Sequence, residues 1–252
     1  MGWVLALRTH VSFVCLLITI ASFKLNGWDE SVWLCSFFVF LSCSSSMLYN
    51  DWIDRDHDKR KGKYFTSEKE KYFFCYVVIF YLAQIAYCVY LFKINNFYGI
   101  IGLCMMILGV LYNYVRNFDL LSNLIVSLSF ALTCLFAITN SYTLEGIVWM
   151  VFIFLTAYAR EIIKDLIDMG IDKGYKRSMA LRFGTKTTSI SAAYILVWSM
   201  ILLFFIGKIA LAYSVPVFIY VIYLATKNVH YRQSKHSIDL ALFICSLAII
   251  LT

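Results

Sequence analysis

Charge is scarce in this chain. Only 15% of its 252 residues are Asp, Glu, Lys or Arg, while 62% are hydrophobic and the mean hydropathy is +0.76. A soluble domain carries roughly 25% charged residues, so the composition argues against a water-soluble fold and for one solvated by lipid. Proline occurs once and glycine 11 times, and no Pro/Gly/Ser-rich linker separates two halves. One domain over residues 1–252 is therefore expected. No Cys-x-x-Cys pair exists, and none of the eight cysteines (Cys15, Cys35, Cys43, Cys75, Cys88, Cys104, Cys134, Cys245) sits near a His at zinc-ligand spacing. They lie almost entirely in apolar runs and read as small buried hydrophobes. His10, His57, His230 and His236 form no recognisable site. No basic face is interleaved with base-stacking aromatics, which argues against a nucleic-acid partner.

Long apolar runs are what the chain has instead. A bilayer core takes about 20 mostly apolar residues per helix. Candidate spans fall near 3–23, 31–49, 71–93, 97–115, 120–140, 143–163, 187–207, 208–226 and 236–252. The first is read as a membrane helix rather than a signal peptide, for want of a small-residue cleavage site. Continuous runs of this length fit helices; barrel strands would alternate over about 10 residues. The expected fold is all-α, a polytopic bundle of about nine transmembrane helices around a central cavity. All of the 22 Lys and Arg residues except Lys24, Lys93 and Lys208 fall on one side of that layout. The positive-inside rule makes this side cytoplasmic, and the same cations suit anionic membrane lipid.

Two acidic clusters occupy that side. The first, Asn50-Asp51-Trp52-Ile53-Asp54-Arg55-Asp56-His57-Asp58, follows the second span. If the helix continues, Asp51, Asp54 and Asp58 are spaced i, i+3, i+7 and share a face. The second, within residues 160–173, repeats the pattern with Asp165, Asp168 and Asp172. Stacked like charges repel, more so near a membrane boundary, so a compensating cation is expected. Oxygen-only ligands select a hard ion, and Mg²⁺ characteristically binds one or two carboxylates together with substrate phosphates. A diphosphate bridged between the two faces is the natural complement.

With these motifs the sequence resembles the UbiA superfamily of intramembrane prenyltransferases. The family's Asn-Asp-x-x-Asp-x-x-x-Asp is matched by Asn50, Asp51, Asp54 and Asp58, and its Asp-x-x-x-Asp by Asp168 and Asp172. Arg-Glu-Ile-Ile-Lys-Asp at 160–165 is similar to the branch that includes digeranylgeranylglyceryl phosphate synthase. Tyr112 to Arg116, with Asn123 downstream, resembles the family's Tyr-x-x-x-Lys and following Asn region. The chain departs from the pattern where Lys-Pro-x-Arg-Pro and Thr-Leu-Pro elements are usual; Lys59-Arg60-Lys61-Gly62 and Ser178-Met179-Ala180 stand there.

The resemblance implies a prenyl diphosphate donor, Mg²⁺, and a small-molecule or lipid acceptor, aromatic or glyceryl phosphate. It implies that Asp51, Asp54 and Asp58 hold one ion, with Asn50 as ligand or support, and that Asp165, Asp168 and Asp172 hold the other. Lys164 and Arg116 are the candidates for diphosphate contact, with Tyr112 and Asn123 beside them. Interfacial anchoring is the other role open to Lys164. Arg160 and Glu161 either pair with each other, or Glu161 orients a ligand. A membrane terpene cyclase on the same scaffold is the nearest alternative. A transporter fits less well, because its ionisable groups would lie near mid-membrane on broken helices.

Overall fold

A computed structural model of the chain describes residues 9–56, 67–115, 118–139, 141–172, 177–206, 214–227 and 230–252, without the side chains of 67–69, 119, 171–172 and 225–226. Nine helices make up the described residues: α1 (Thr9–Asn26), α2 (Ser31–Ile53), α3 (Ser67–Ile94), α4 (Asn96–Val115), α5 (Asp119–Ile138), α6 (Leu144–Asp172), α7 (Met179–Phe205), α8 (Val215–Thr226) and α9 (Tyr231–Leu251). Over the described residues, all but α8 are long and apolar enough to cross a bilayer. In lipid every backbone N–H and C=O must be satisfied within its own segment, which is why runs of this composition become helices.

Two boundaries differ from the sequence expectation, and one lies partly outside the described residues. The described part of the span expected at 208–226 is helical over Val215–Thr226, and 208–213 lie outside the described residues. Helix α6 does not stop near residue 163 but continues to Asp172, 29 residues in all. At about 1.5 Å per residue it is about 43 Å long, so the second acidic cluster rides on a helix rather than in a loop. Helix α7 begins at Met179, capped by Ser178 Oγ accepting from the Leu181 N–H at 3.4 Å, and is interrupted at Gly184. The φ of +79° and ψ of 164° at Gly184 are open only to glycine without strain.

Each helix packs on its neighbour in sequence, and α9 returns to pack on α1 and α6, closing the bundle. Directions follow from paired contacts. Ser44 Oγ of α2 donates to Ser12 Oγ of α1 at 3.0 Å, whereas Trp149 Nε1 of α6 donates to Ser22 Oγ at 3.1 Å, and Asn26 lies against Gly146. Both α2 and α6 thus run antiparallel to α1 and parallel to each other. Along α4, Tyr98 meets Ser31, Gly102 meets Phe38 and Gly109 meets Ser46, so α4 runs with α2.

The serine run of α2 shows how small polar residues lock such a bundle. Gln84 Nε2 of α3 donates to Ser42 Oγ at 2.8 Å while Ser45 Oγ donates to Gln84 Oε1 at 2.5 Å. At the far end, Thr143 Oγ1 donates to Leu25 O at 3.1 Å and to Asn26 Oδ1 at 3.1 Å. Buried aromatic contacts complete the core, Trp149 stacking on Phe152 at 5.3 Å and Phe152 meeting Phe218 of α8 at 5.9 Å. Outward positions such as Leu82, Phe204 and Tyr194 are exposed and apolar, as a lipid-facing surface requires.

Candidate active site

Since α2 and α6 point the same way, both acidic clusters lie at one end of the bundle. Helix α4 ends there too and touches both. An ideal Cβ on Gly109 would sit 2.3 Å from Ser46 Oγ, so α4 meets α2 one turn before Asn50. On the next turn of α4, the Tyr112 ring lies 5.9 Å from Lys164 Nζ of α6, within the range of a cation–π contact. A Cβ at 109 would press on Ser46, so glycine favours the close approach of α4 to the first motif helix.

Within the described residues the first cluster is interrupted at Asp54, and helical backbone returns at 55–56. Helix α2 ends at Ile53, and Asp54 is its C-cap at φ −86° and ψ 3°, with its N–H donating to Asn50 O at 2.9 Å. Asp51 is buried, with 5% of its surface exposed, and Asp54 is half-buried. Asp58 lies outside the described residues, as do His57 and Arg116. Arg55, the cation inside the cluster, is committed elsewhere. Its Nε donates to Glu70 Oε1 of α3 at 2.7 Å, and its guanidinium lies 4.6 Å from the centre of the Trp52 ring.

The second cluster is helical throughout, as its i, i+3, i+7 spacing requires. Asp165 is buried, and Asn123 Nδ2 near the start of α5 donates to its Oδ2 at 2.9 Å. Asp168 is half-buried, and Asp172 is the last residue of α6. Lys164 Nζ donates to Glu161 Oε2 at 2.9 Å, and Glu161 Oε1 accepts from Arg160 Nη1 at 2.5 Å. Arg160 and Glu161 therefore do pair, and Glu161 also orients Lys164.

Can these residues hold a hard divalent ion? Among the described residues no three Asp, Glu, His or Cys side chains converge on one point; the donors are spread over two helix ends. Their chemistry nonetheless fits. Asn50 Oδ1 and Asn113 Oδ1 are both buried and accept no hydrogen bond among the described residues. Each stands one turn beyond the Ser46–Gly109 contact on parallel helices, and Asn113 Nδ2 donates to Gly109 O at 3.1 Å, turning its carbonyl away from its own helix. A buried amide oxygen without a donor is costly unless something fills the place, and a hard cation or its water does so. Oxygen donors alone, with a lysine alongside, suit Mg²⁺ with a phosphate group.

Two residues of this end were missed by sequence reasoning. Asn113 sits inside the quoted Tyr112 to Arg116 segment but was given no role. Asp239 of α9 receives Arg160 Nε at 2.5 Å and Nη2 at 3.4 Å. It is the sole acidic residue in the last apolar run, and an intramembrane acid calls for a named partner; that signal could have found it.

Comparison with known proteins gives a consistent picture. Residues 10–247 match the sequence profile described as the UbiA prenyltransferase family. Over 231 residues the chain is 28% identical to digeranylgeranylglyceryl phosphate synthase of Methanosphaera stadtmanae, covering 85% of this chain and 83% of that one. In three dimensions it is similar to the apo structure of a UbiA homologue from Aeropyrum pernix K1, with a TM-score of 0.79 and 16% identity over 97% of this chain and 98% of the other. It is also similar to a UbiA homologue from Archaeoglobus fulgidus bound to GPP and Mg²⁺, with a TM-score of 0.67 and 17% identity over 100% of both chains. At such identities the structural likeness speaks to fold alone.

Proposed function

This chain belongs to the UbiA prenyltransferase family and is a multi-pass membrane prenyltransferase, and from that premise we propose that it transfers a prenyl group from an isoprenoid diphosphate to a glyceryl phosphate acceptor in an Mg²⁺-dependent reaction. The observation that carries the reading is the arrival of two carboxylate-bearing helix ends at one end of the bundle, with α4 contacting both. The acceptor class is supported by the relative from Methanosphaera stadtmanae, and the donor and ion by the GPP and Mg²⁺ of the Archaeoglobus homologue. The active end faces the cytoplasm, where the basic residues accumulate.

Asp51, Asp54 and Asp58, with the Asn50 amide oxygen, would hold one ion, and Asp165, Asp168 and Asp172 would hold the other. Mg²⁺ bound there supplies neutralisation of the diphosphate and stabilisation of its charge as a leaving group. Lys164, kept in place by Glu161 and the Tyr112 ring, and Arg116 contact the diphosphate oxygens. Asn123 fixes the Asp165 carboxylate, so its position does not have to be organised during the reaction. The allylic C–O bond breaks with its electron pair leaving on the diphosphate. An acceptor oxygen bonds to the freed carbon and gives up its proton.

The test is product mass spectrometry on purified protein, with prenyl diphosphates of graded length against a panel of acceptors. A prenylated glyceryl phosphate that disappears in Asp54→Ala and Asp168→Ala is the expected result. Prenylation of aromatic acceptors alone would overturn the acceptor class. Cyclised hydrocarbon formed without any acceptor would overturn transfer itself.

A further inference from the structure

Charged groups interlock inside the bundle about one turn before Asp165. Arg160 lies about three turns before the end of α6, and Asp239 about two turns into α9. Arg160 and Glu161 are 5% and 3% exposed, and the Asp239 side chain is 14% exposed. The atoms are divided in a particular way. Asp239 takes the Nε and Nη2 edge of the guanidinium, and Glu161 Oε1 takes Nη1. Glu161 Oε2 is thereby left to Lys164 Nζ.

We propose that Asp239 is a positioning residue for diphosphate binding, acting through Arg160 and Glu161 to hold Lys164 at the active end. The proposal rests on the reading of Lys164 as a diphosphate contact. Its reasoning is stereochemical. A guanidinium with a free edge closes on a neighbouring carboxylate through two parallel bonds. Without Asp239, Arg160 can turn its freed Nε–Nη2 edge onto Glu161 and claim both its oxygens, and Lys164 loses one of the contacts that hold its long, flexible side chain. With Asp239 in place, that edge of the guanidinium is occupied and Glu161 is shared. The last helix of the chain thus becomes part of the apparatus that binds substrate, although Asp239 touches none of the motif residues.

The experiment measures equilibrium binding of geranyl diphosphate (GPP) with Mg²⁺ to the full chain in detergent, alongside its thermal unfolding. Asp239→Asn should weaken GPP binding about tenfold, the worth of one lost charge-assisted hydrogen bond. Asp239→Glu, which keeps a two-oxygen acceptor, should stay within about threefold of wild type. In a Lys164→Ala background Asp239→Asn should have no further effect, because residues acting in series are not additive. If Asp239→Asn does not fold, Glu161→Gln reads the same link while leaving the Arg160–Asp239 pair intact, and should weaken binding about as much. Unchanged GPP binding in Asp239→Asn or Glu161→Gln would overturn the proposal. So would an equal loss from Asp239→Asn with and without Lys164. Asp54→Ala separates the two levels. If it binds GPP like wild type, the diphosphate reading has failed; if it does not while Asp239→Asn is unchanged, only the relay has failed.

Discussion

Replacing Asn123 by alanine takes an amide donor away from the buried Asp165 carboxylate, 2.9 Å distant. Both residues are almost fully enclosed, at 2% and 3% exposure, so no bulk water stands ready to replace the lost bond. A hydrogen bond to a charged group contributes about 1.5–3 kcal/mol, which corresponds to about 10–100-fold in an equilibrium constant. If Asp165 is oriented to receive a divalent ion, that loss appears in ion affinity. The Mg²⁺ concentration for half-maximal diphosphate release should rise at least about tenfold in Asn123→Ala, while activity at saturating Mg²⁺ recovers substantially. Asn123→Asp should be worse, since a second carboxylate would face the first across the same short distance. The assay is release of inorganic diphosphate across a Mg²⁺ titration, with thermal unfolding in detergent as the control. A lowered unfolding temperature with an unchanged Mg²⁺ midpoint would refute the reasoning and reduce the Asn123–Asp165 pair to a helix clamp.

Gln84→Leu removes both bonds to the serines of α2 and should cost about 0.6–1.7 kcal/mol per bond, read as a lower unfolding temperature with the Mg²⁺ midpoint unmoved. Gly109→Ala should impair both stability and turnover by pushing α4 off α2, and Ser46→Ala in the same chain should restore much of the loss, because Ser46 Oγ is the atom the new methyl meets at 2.3 Å. Gly184→Ala meets no neighbouring atom but forces a φ of +79° on a residue with a Cβ. It should destabilise the chain by about 1–3 kcal/mol, and full stability there would show that the break in α7 relaxes without cost.

The membrane embedding and the helical class were plain in the composition and in apolar runs about 20 residues long. The second acidic cluster was legible for the same reason, since i, i+3, i+7 spacing has one meaning on a helix and α6 runs to Asp172. Helix ends were harder to read. The first cluster shares a face only if the helix continues; α2 stops at Ile53 with Asp54 as its cap, and Asp58 lies outside the described residues. The contacts that tie the bundle together, Arg160 to Asp239 across 79 positions and Thr143 to Asn26 across 117, join residues no periodicity connects. Sequence placed Asn50, Asp51, Tyr112, Asn123 and Lys164 near the reaction; geometry added which of them touch.

The central claim is that two separate helix ends serve one diphosphate. Titrating GPP into the protein with Mg²⁺, and following heat and stoichiometry in wild type, Asp51→Asn, Asp168→Asn and the double variant, tests it most directly. The account predicts one GPP per chain, severe loss of binding in either single variant, and little further loss in the double. Two independent sites, or wild-type affinity in one single variant, would contradict it.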